Sequence, residues 1–420
     1  MASPAASPIK LPFPLSPREL VVMLAFSQAL QALAIDAILP ALGEVSRELA
    51  VTDPNQQQLV VGLFLIGIAL GSLIPGTLAD RFGRRPVLLG SVISCSVIGG
   101  LCALSRDFTM LLVLRFLGGL LSGGLSAVGS AILRDRFEGD RMASTQSLIF
   151  VIFMVVPMVA PTIGQGILLF AGWRWIFGFT AVLGLAVGTW IALRLPESLP
   201  ADRRLPISAG RIFGSTREVL LSRESIGYVL SAALTQGIMW GYIQSCSQLL
   251  GEHFGAGRSF PLLFGGMAVF MAASNFTNSR IVTRFGARRT GHTALIVYLL
   301  SAVAQFWLAH RGNETLWQFV PLWTISMICG GFTGANFSSI AMQPFSRIAG
   351  AASSLQLFIR MIIASVIGAM IGQSYDNSAR PLSTAMVLAS IASLLLILYS
   401  ERGRLFRRFN PPGTPPQPVP

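Results

Sequence analysis

Long apolar stretches dominate the chain, and short clusters of charged residues separate them. A helix that crosses a bilayer needs about 20 mostly apolar residues. Stretches of this kind predict twelve transmembrane helices, over residues 19–42, 57–79, 86–105, 109–133, 143–170, 172–193, 225–250, 260–282, 290–309, 315–339, 348–373 and 382–400. Many Gly and Ser residues inside them favour close helix packing. The pattern predicts an all-α, polytopic membrane protein, because a transmembrane β-barrel would show short alternating segments instead.

The predicted helices form two groups of six, separated by the longest connection. The resulting divisions are an N-terminal cytoplasmic segment (1–18), a six-helix half (19–194), a cytoplasmic linker (195–224), a second six-helix half (225–400) and a cytoplasmic tail (401–420). A short internal echo supports this division, since Arg81-Phe82-Gly83 and Arg284-Phe285-Gly286 lie 203 residues apart. Parallel six-helix repeats with a site between them are a transporter architecture.

The distribution of charge predicts the orientation. The chain has 31 basic and 18 acidic residues, a net charge of +13, and Lys10 is its only lysine. With a cytoplasmic N-terminus, 23 basic residues lie in cytoplasmic segments, 6 in outer loops and 2 inside helices. Basic residues concentrate on the cytoplasmic side of membrane proteins. Both termini are therefore expected in the cytoplasm, and the basic clusters indicate a lipid bilayer and no nucleic acid as partner.

Composition restricts the classes of function. The chain is 53% hydrophobic and only 12% charged, with a mean hydropathy of +0.65, which excludes an ordinary soluble enzyme. The four cysteines lie inside apolar runs, so neither a disulfide nor a metal site is expected. No phosphate-binding G-x-x-x-x-G-K-[ST] loop is present, so ATP does not drive the protein directly. No nucleophile or paired carboxylate has a usable spacing, so we expect neither an enzyme nor a cofactor. Residues 1–18 have no apolar core typical of a cleavable signal peptide.

One segment carries a specific resemblance. The run Gly76-Thr-Leu-Ala-Asp80-Arg-Phe-Gly-Arg-Arg85 resembles the loop between the second and third helices of the major facilitator superfamily. The resemblance implies a cytoplasmic latch that holds the outward-open state. Asp80 is expected to cap a neighbouring helix N-terminus, and Arg84 and Arg85 to pair with Asp135. The latch residues are Gly76, Asp80, Arg81, Gly83, Arg84, Arg85 and Asp135. A plain positively charged loop is the alternative.

Further segments are similar to the bicyclomycin/chloramphenicol-resistance subfamily (Bcr/CflA) of drug:proton antiporters. They include residues 34–42, 115–119, 157–164, 195–200 and 349–355. The resemblance implies the major facilitator fold, a bacterial inner-membrane location, and multidrug efflux driven by the proton gradient. Pro157, Pro161 and Gly164 match the exporter motif of the fifth helix, whereas Gln165 and Gly118 depart from the patterns of the fifth and fourth helices.

Asp36 is the one acidic residue placed well inside a predicted helix, and charges there usually mark function. Asp36 and Arg115 both lie six residues, roughly 9 Å, from the outer ends of their helices. The resemblance implies that both helices line the central cavity, so the two residues are expected to share a polar network and couple transport to protons. Contact with a cationic substrate and a structural ion pair are the alternatives for Asp36. For Arg115 a structural ion pair is an equal alternative.

Other polar residues are candidates for the wall of a substrate cavity. They are Gln28, Gln236, Trp240, Gln244, Asn336 and Arg360. The residues at 236, 240 and 244 recur every four positions and, with Met239 and Tyr242, are expected to form an aromatic and polar wall for a flat drug. A helix–helix contact is the alternative for this wall. For Arg360 the alternative is a packing arginine that extends its charged end to an interface. We expect a monomer that exports small amphipathic molecules against protons; an importer of a small metabolite on the same fold is the alternative.

Overall fold

The computed structural model describes residues 15–136, 149, 155–157, 159–199, 218 and 220–407, which form helices and no strands. The helices are α1 (Pro17–Asp36), α2 (Leu42–Glu48), α3 (Leu59–Gly71), α4 (Ile74–Phe82), α5 (Arg84–Cys102), α6 (Phe108–Arg136), α7 (Val155–Leu168), α8 (Arg174–Arg194), α9 (Arg223–Cys246), α10 (Phe260–Phe285), α11 (Ala287–Arg311), α12 (Leu316–Met342), α13 (Ala349–Gln373) and α14 (Arg380–Ser400). Most of the predicted N-terminal segment, linker and tail lies outside the described residues, as does the first part of the predicted fifth helix.

Each of the twelve predicted ranges overlaps a helix or two consecutive helices of the described residues, the fifth range only from Val155 onward. Eight helices of the described part are long and apolar enough to cross a bilayer, or nine if α3 and α4 count as one bent span. Helices α9 and α12 are not among them. The structure is therefore consistent with twelve spans, and the exact number stays a prediction.

Two predicted single helices are broken, each four residues before a proline. A proline ring clashes with the carbonyl group four positions earlier and supplies no N–H donor. Accordingly α1 ends at Asp36, before Pro40, and α3 ends at Gly71, before Pro75. A 3₁₀ turn at Leu39–Ala41 continues the first span into α2, and α4 bends 45° away from the axis of the preceding part of the second span.

The internal echo in the sequence corresponds to the same turn in both halves. Gly83 joins α4 to α5 with φ 106° and ψ 156°, and Gly286 joins α10 to α11 with φ 86° and ψ 150°. Only glycine adopts this region of backbone conformation without strain. The two glycines therefore allow each half to reverse direction in one residue between its second and third spans.

The apolar core is divided unequally between the two ends of the bundle. We call the end that carries Pro17 and Ser400 the terminal end, and the other the opposite end. Toward the opposite end, one cluster of buried side chains runs through both halves, joining Ile38 and Phe64 to Trp240 and Leu249. Toward the terminal end, the buried side chains form separate clusters, one in the first half and two in the second. Among the described residues, the halves are thus closed together at the opposite end and separated at the terminal end.

Candidate functional site

Asp36 is buried at the closed end of the interface between the halves. The residue is 3% exposed, and its Oδ1 atom has no hydrogen-bond partner. It is the last residue of α1, so the expectation of six further helical residues beyond it is wrong, because Pro40 ends the helix there. The first span nevertheless continues through α2 to Glu48, so the carboxyl group lies deep in the protein.

The exporter motif in α7 packs directly against this end of α1. Gly164 approaches the chain so closely that a Cβ atom there would lie 1.9 Å from the Ala37 carbonyl oxygen. Pro161 is buried and Pro157 is half-buried on the same helix. The motif therefore provides the close approach of α7 to the backbone next to Asp36, a role that only a residue without a side chain fills at position 164.

The expected network between Asp36 and Arg115 is not formed. Arg115 is 3% exposed, donates from Nε to the Val60 carbonyl oxygen at 2.8 Å, and lies over the ring of Phe64 at 4.1 Å. No hydrogen bond or ion pair joins it to Asp36 or to any other carboxylate of the described residues. At about 100° per residue, Asp36 lies about 140° around α1 from Gln31, which faces α6. The side chains of Asp36 and Arg115 therefore contact different neighbours.

Gln31 is the residue that connects α1 to α6, and sequence analysis missed it. Its side chain accepts a hydrogen bond from Ser126 Oγ at 2.8 Å and donates to Ser122 at 3.3 Å. The serines at positions 122 and 126, one turn apart, were the available signal. The predicted candidate Gln28 lies one turn earlier, buried beside Gly129, with no partner for its Nε2 atom.

The latch segment forms a polar cluster at the terminal end of the first half. Arg84 pairs with Asp80 at 2.6 Å and with Asp135 at 3.2 Å, the second of these as expected. The expected capping role of Asp80 is wrong. Glu197 instead accepts the backbone N–H groups of Arg84 at 2.8 Å and Arg85 at 3.3 Å, at the N-terminus of α5. A carboxylate is stabilised at that position by the partial positive charge of the helix end.

The remaining latch residues have other contacts. Arg85 donates from Nη2 to the Ala192 carbonyl oxygen at 2.6 Å and not to Asp135, because its side chain points along α8. Arg81 is exposed over the ring of Phe82. A Cβ atom at Gly76 would meet nothing within 4 Å, so packing in this conformation does not require glycine there.

An amide gate closes the opposite end. We use this name for Asn55, Gln58, Gln248 and Gln373, which join the halves by hydrogen bonds between uncharged groups. Asn55 Nδ2 donates to the Tyr375 carbonyl oxygen at 2.7 Å, and Gln373 Nε2 donates back to the Asn55 carbonyl oxygen at 2.9 Å. Gln58 donates to Gln248, which in turn donates to the Pro54 carbonyl oxygen at 3.2 Å. Among the described residues, no such hydrogen bonds join the halves at the terminal end.

The expected wall on α9 is largely a helix contact. Trp240 and Gln244 are buried against Gly368 of α13, and Gln244 also contacts Gly62 of α3. Tyr242 lies on another face, where its ring is 4.4 Å from that of Trp323, because two residues turn a helix by about 200°. Among the residues predicted for this wall, Gln236 and Met239 are half-exposed. The alternative of a helix–helix contact therefore describes Trp240 and Gln244.

The last two predicted cavity residues have different environments. Asn336 is buried and donates to Asn278 Oδ1 at 2.7 Å, so it joins α12 to α10. Arg360 lines an open-sided cavity of about 250 Å³ between α9, α12 and α13, near the terminal end of the second half. Of these two residues, Arg360 is thus the one that reaches open space.

Comparisons with known proteins agree on one family. The sequence profile of the Major Facilitator Superfamily matches residues 24–369. The chain is 27% identical to the bicyclomycin resistance protein homolog of Haemophilus influenzae, over 89% of this chain and 94% of that protein. It is 29% identical to multidrug resistance protein MdtL of Klebsiella pneumoniae, over 87% and 91%. Its fold is similar to the inward-facing, unoccupied crystal structure of a bacterial homolog of the human lysosomal transporter Spinster, with a TM-score of 0.69, 17% identity, and coverage of 93% and 96%.

Proposed function

Since the chain belongs to the major facilitator superfamily, we propose that it is a secondary transporter that exports drugs or other small amphipathic compounds in exchange for protons. The protein is a transporter of small molecules and not an enzyme. Relatives named for bicyclomycin and multidrug resistance favour export over the alternative of import. The exporter motif supports the same direction, because Gly164 packs against the end of α1 that carries the buried carboxyl group.

The observation that carries proton coupling is the environment of Asp36. Its carboxyl group lies at the closed end of the interface, shut off from solvent, with Oδ1 unpartnered. An ionised carboxylate in such a place is costly unless a proton or a cationic group neutralises it. When the amide gate opens, the same group gains access to the other side of the membrane. Asp36 is therefore suited to carry a proton between the two sides.

The proposed location is the bacterial inner membrane, with both termini in the cytoplasm and the protein acting as a monomer. The positive residues of the terminal end support this orientation. In this orientation the described residues have an inward-facing arrangement, because their core clusters at the cytoplasmic end are separate. Reporter fusions after Phe13 and after Asn410 are expected to report cytoplasm, and a fusion within 251–257 the outside. An outside C-terminus would contradict the twelve-span arrangement.

Inverted, acidified membrane vesicles test the proposed exchange. Adding a transported drug is expected to release protons from the lumen of wild-type vesicles, and the Asp36→Asn variant is expected to lose this release. Downhill exchange of a neutral drug is expected to survive, because the amide preserves the shape of the site. The matched control is Asp376→Asn, which removes an exposed carboxylate at the opposite end. Drug-dependent proton release that persists in Asp36→Asn would show that another group carries the proton.

A further inference from the structure

The cavity beside Arg360 is lined only by residues of the second half, which come from α9, α12 and α13. It lies in the cytoplasmic part of the second half and is open on one side. Most of its wall is apolar, and Tyr228, Ala341 and Leu357 are among the lining residues. Its polar groups come chiefly from Ser338, Gln356 and Arg360. The volume of about 250 Å³ accommodates one end of a drug-sized molecule.

The guanidinium group of Arg360 is held in place but is largely unsatisfied. Its Nη1 atom donates to Ser338 Oγ at 2.7 Å, and that hydroxyl donates onward to the Gly334 carbonyl oxygen. Its Nε atom is shut off from solvent and has no acceptor. No carboxylate of the described residues forms an ion pair with it. One hydrogen bond thus fixes a cation whose other donors remain free.

The neighbouring side chains join the walls of the cavity and do not neutralise this cation. Gln356, one turn earlier on α13, donates from Nε2 to Ser225 Oγ at 3.1 Å and to the Ala341 carbonyl oxygen at 3.0 Å. Gln356 therefore connects α13 to both α9 and α12, the other walls of the cavity. Nearby Glu401 is engaged elsewhere, since it accepts hydrogen bonds from Arg288 Nε and Tyr228 at 2.6 Å. The site is consequently preorganised and keeps its positive charge.

We propose that Arg360 forms a subsite for the carboxylate of anionic or zwitterionic amphipathic substrates. A positive charge inside a membrane protein is costly and is usually balanced by an opposite charge. A guanidinium offers parallel N–H donors that match the two oxygens of a carboxylate. The apolar wall would contact the hydrophobic part of the same molecule. This proposal rests on the proposed drug export and narrows it to a substrate class.

Binding of an acid and its ester to the purified full-length protein tests the subsite. The probes are a fluoroquinolone with a free carboxylate and the methyl ester of the same drug. Wild type is expected to bind the acid more tightly than the ester. Arg360→Gln is expected to weaken binding of the acid about tenfold or more and leave the ester unchanged, because a charge-assisted hydrogen bond is lost. Arg360→Lys is expected to recover part of the affinity for the acid, since it restores the charge without the planar group.

The matched control is Arg311→Gln, which removes an equal charge from an exposed residue at the opposite end and is expected to change neither affinity. Equal weakening of acid and ester in Arg360→Gln, or no preference for the acid in wild type, would overturn the subsite. Anionic lipid is another source of the same chemistry. Phosphatidylglycerol vesicles could stabilise the wild-type protein but not Arg360→Gln, while the acid has no effect on either. That result would assign the site to lipid and overturn a substrate role.

Efflux of an uncharged dye separates this proposal from the proposed function. If Arg360→Gln cells still export the dye and the wild-type protein binds the acid and the ester equally well, the subsite is wrong and drug export stands. If wild-type cells export no drug or dye of any charge, the proposed function fails, and with it the substrate role of Arg360.

Discussion

Asn55 joins the two halves of the transporter, because its Nδ2 atom lies 2.7 Å from the carbonyl oxygen of Tyr375. The reciprocal contact from Gln373 Nε2 to the Asn55 carbonyl oxygen, at 2.9 Å, makes the connection two-sided. All the side chains of the amide gate are uncharged amides. Opening the gate exchanges its amide hydrogen bonds for hydrogen bonds to water, which has a small net cost. The gate is therefore suited to open and close during each transport cycle.

A cross-link across the gate is expected to stop transport. With the four native cysteines replaced by serine, Asn55→Cys combined with Gln373→Cys would place one thiol in each half. Oxidation is expected to hold the opposite end closed and abolish drug efflux, and reduction is expected to restore it. The single variants, measured with and without oxidant, are the controls. Full efflux from protein shown by mass spectrometry to be cross-linked would contradict the gating role.

Gly164→Ala is expected to weaken both folding and efflux. The added Cβ would lie 1.9 Å from the Ala37 carbonyl oxygen, so α7 must move away from α1. Overpacking of this kind costs about 1–3 kcal/mol of folding stability. We therefore expect the variant to have a lower apparent melting temperature. Gly166→Ala is the matched control, because a Cβ there meets nothing within 4 Å. Equal melting temperatures for the two variants would show that the approach at position 164 is not required.

Glu197→Ala is expected to destabilise the first half by about 1 kcal/mol, because the substitution removes the cap of α5. The measurement is the apparent melting temperature in detergent. Asp80→Asn is the comparison, since the Asp80 side chain is 42% exposed and exposed ion pairs contribute little to stability. That variant is expected to remain folded and still lose transport if the latch controls the conformational cycle. A larger loss of stability from Asp80→Asn than from Glu197→Ala would contradict the assignment of the α5 cap to Glu197.

Glu314, between α11 and α12, is expected to make stability fall as the pH rises. Burial raises the pKa of its carboxyl group from 4.5 to about 7, and neither oxygen has a hydrogen-bond partner. The folded state therefore favours the neutral acid, so stability is full below about pH 4.5 and decreases up to about pH 7. Because the group is partly exposed, we expect Glu314→Gln to gain only about 1 kcal/mol at pH 8 and nothing at pH 4. Equal melting temperatures of variant and wild type at pH 8 would contradict the burial of this charge.

Sequence reasoning located the latch but not its full set of partners. The contact of Arg84 with Asp135 was expected, because both residues were placed at the same end of their helices. Glu197 lies 113 residues from Arg84, and no local pattern connects a carboxylate after α8 with the first turn of α5. The two breaks before Pro40 and Pro75 had a clear local signal, the clash four residues earlier, and were missed.

The sequence by itself determined the helical class and the approximate positions of the described helices, and it predicts the two halves and the orientation. Apolar length, charge asymmetry and the glycine turns at Gly83 and Gly286 are local properties of the chain. Only the tertiary structure decided which polar groups meet, because rotation about each helix axis depends on packing against its neighbours. That rotation separated Asp36 from Arg115, placed Asn55 against Tyr375, and left Arg360 facing an open cavity.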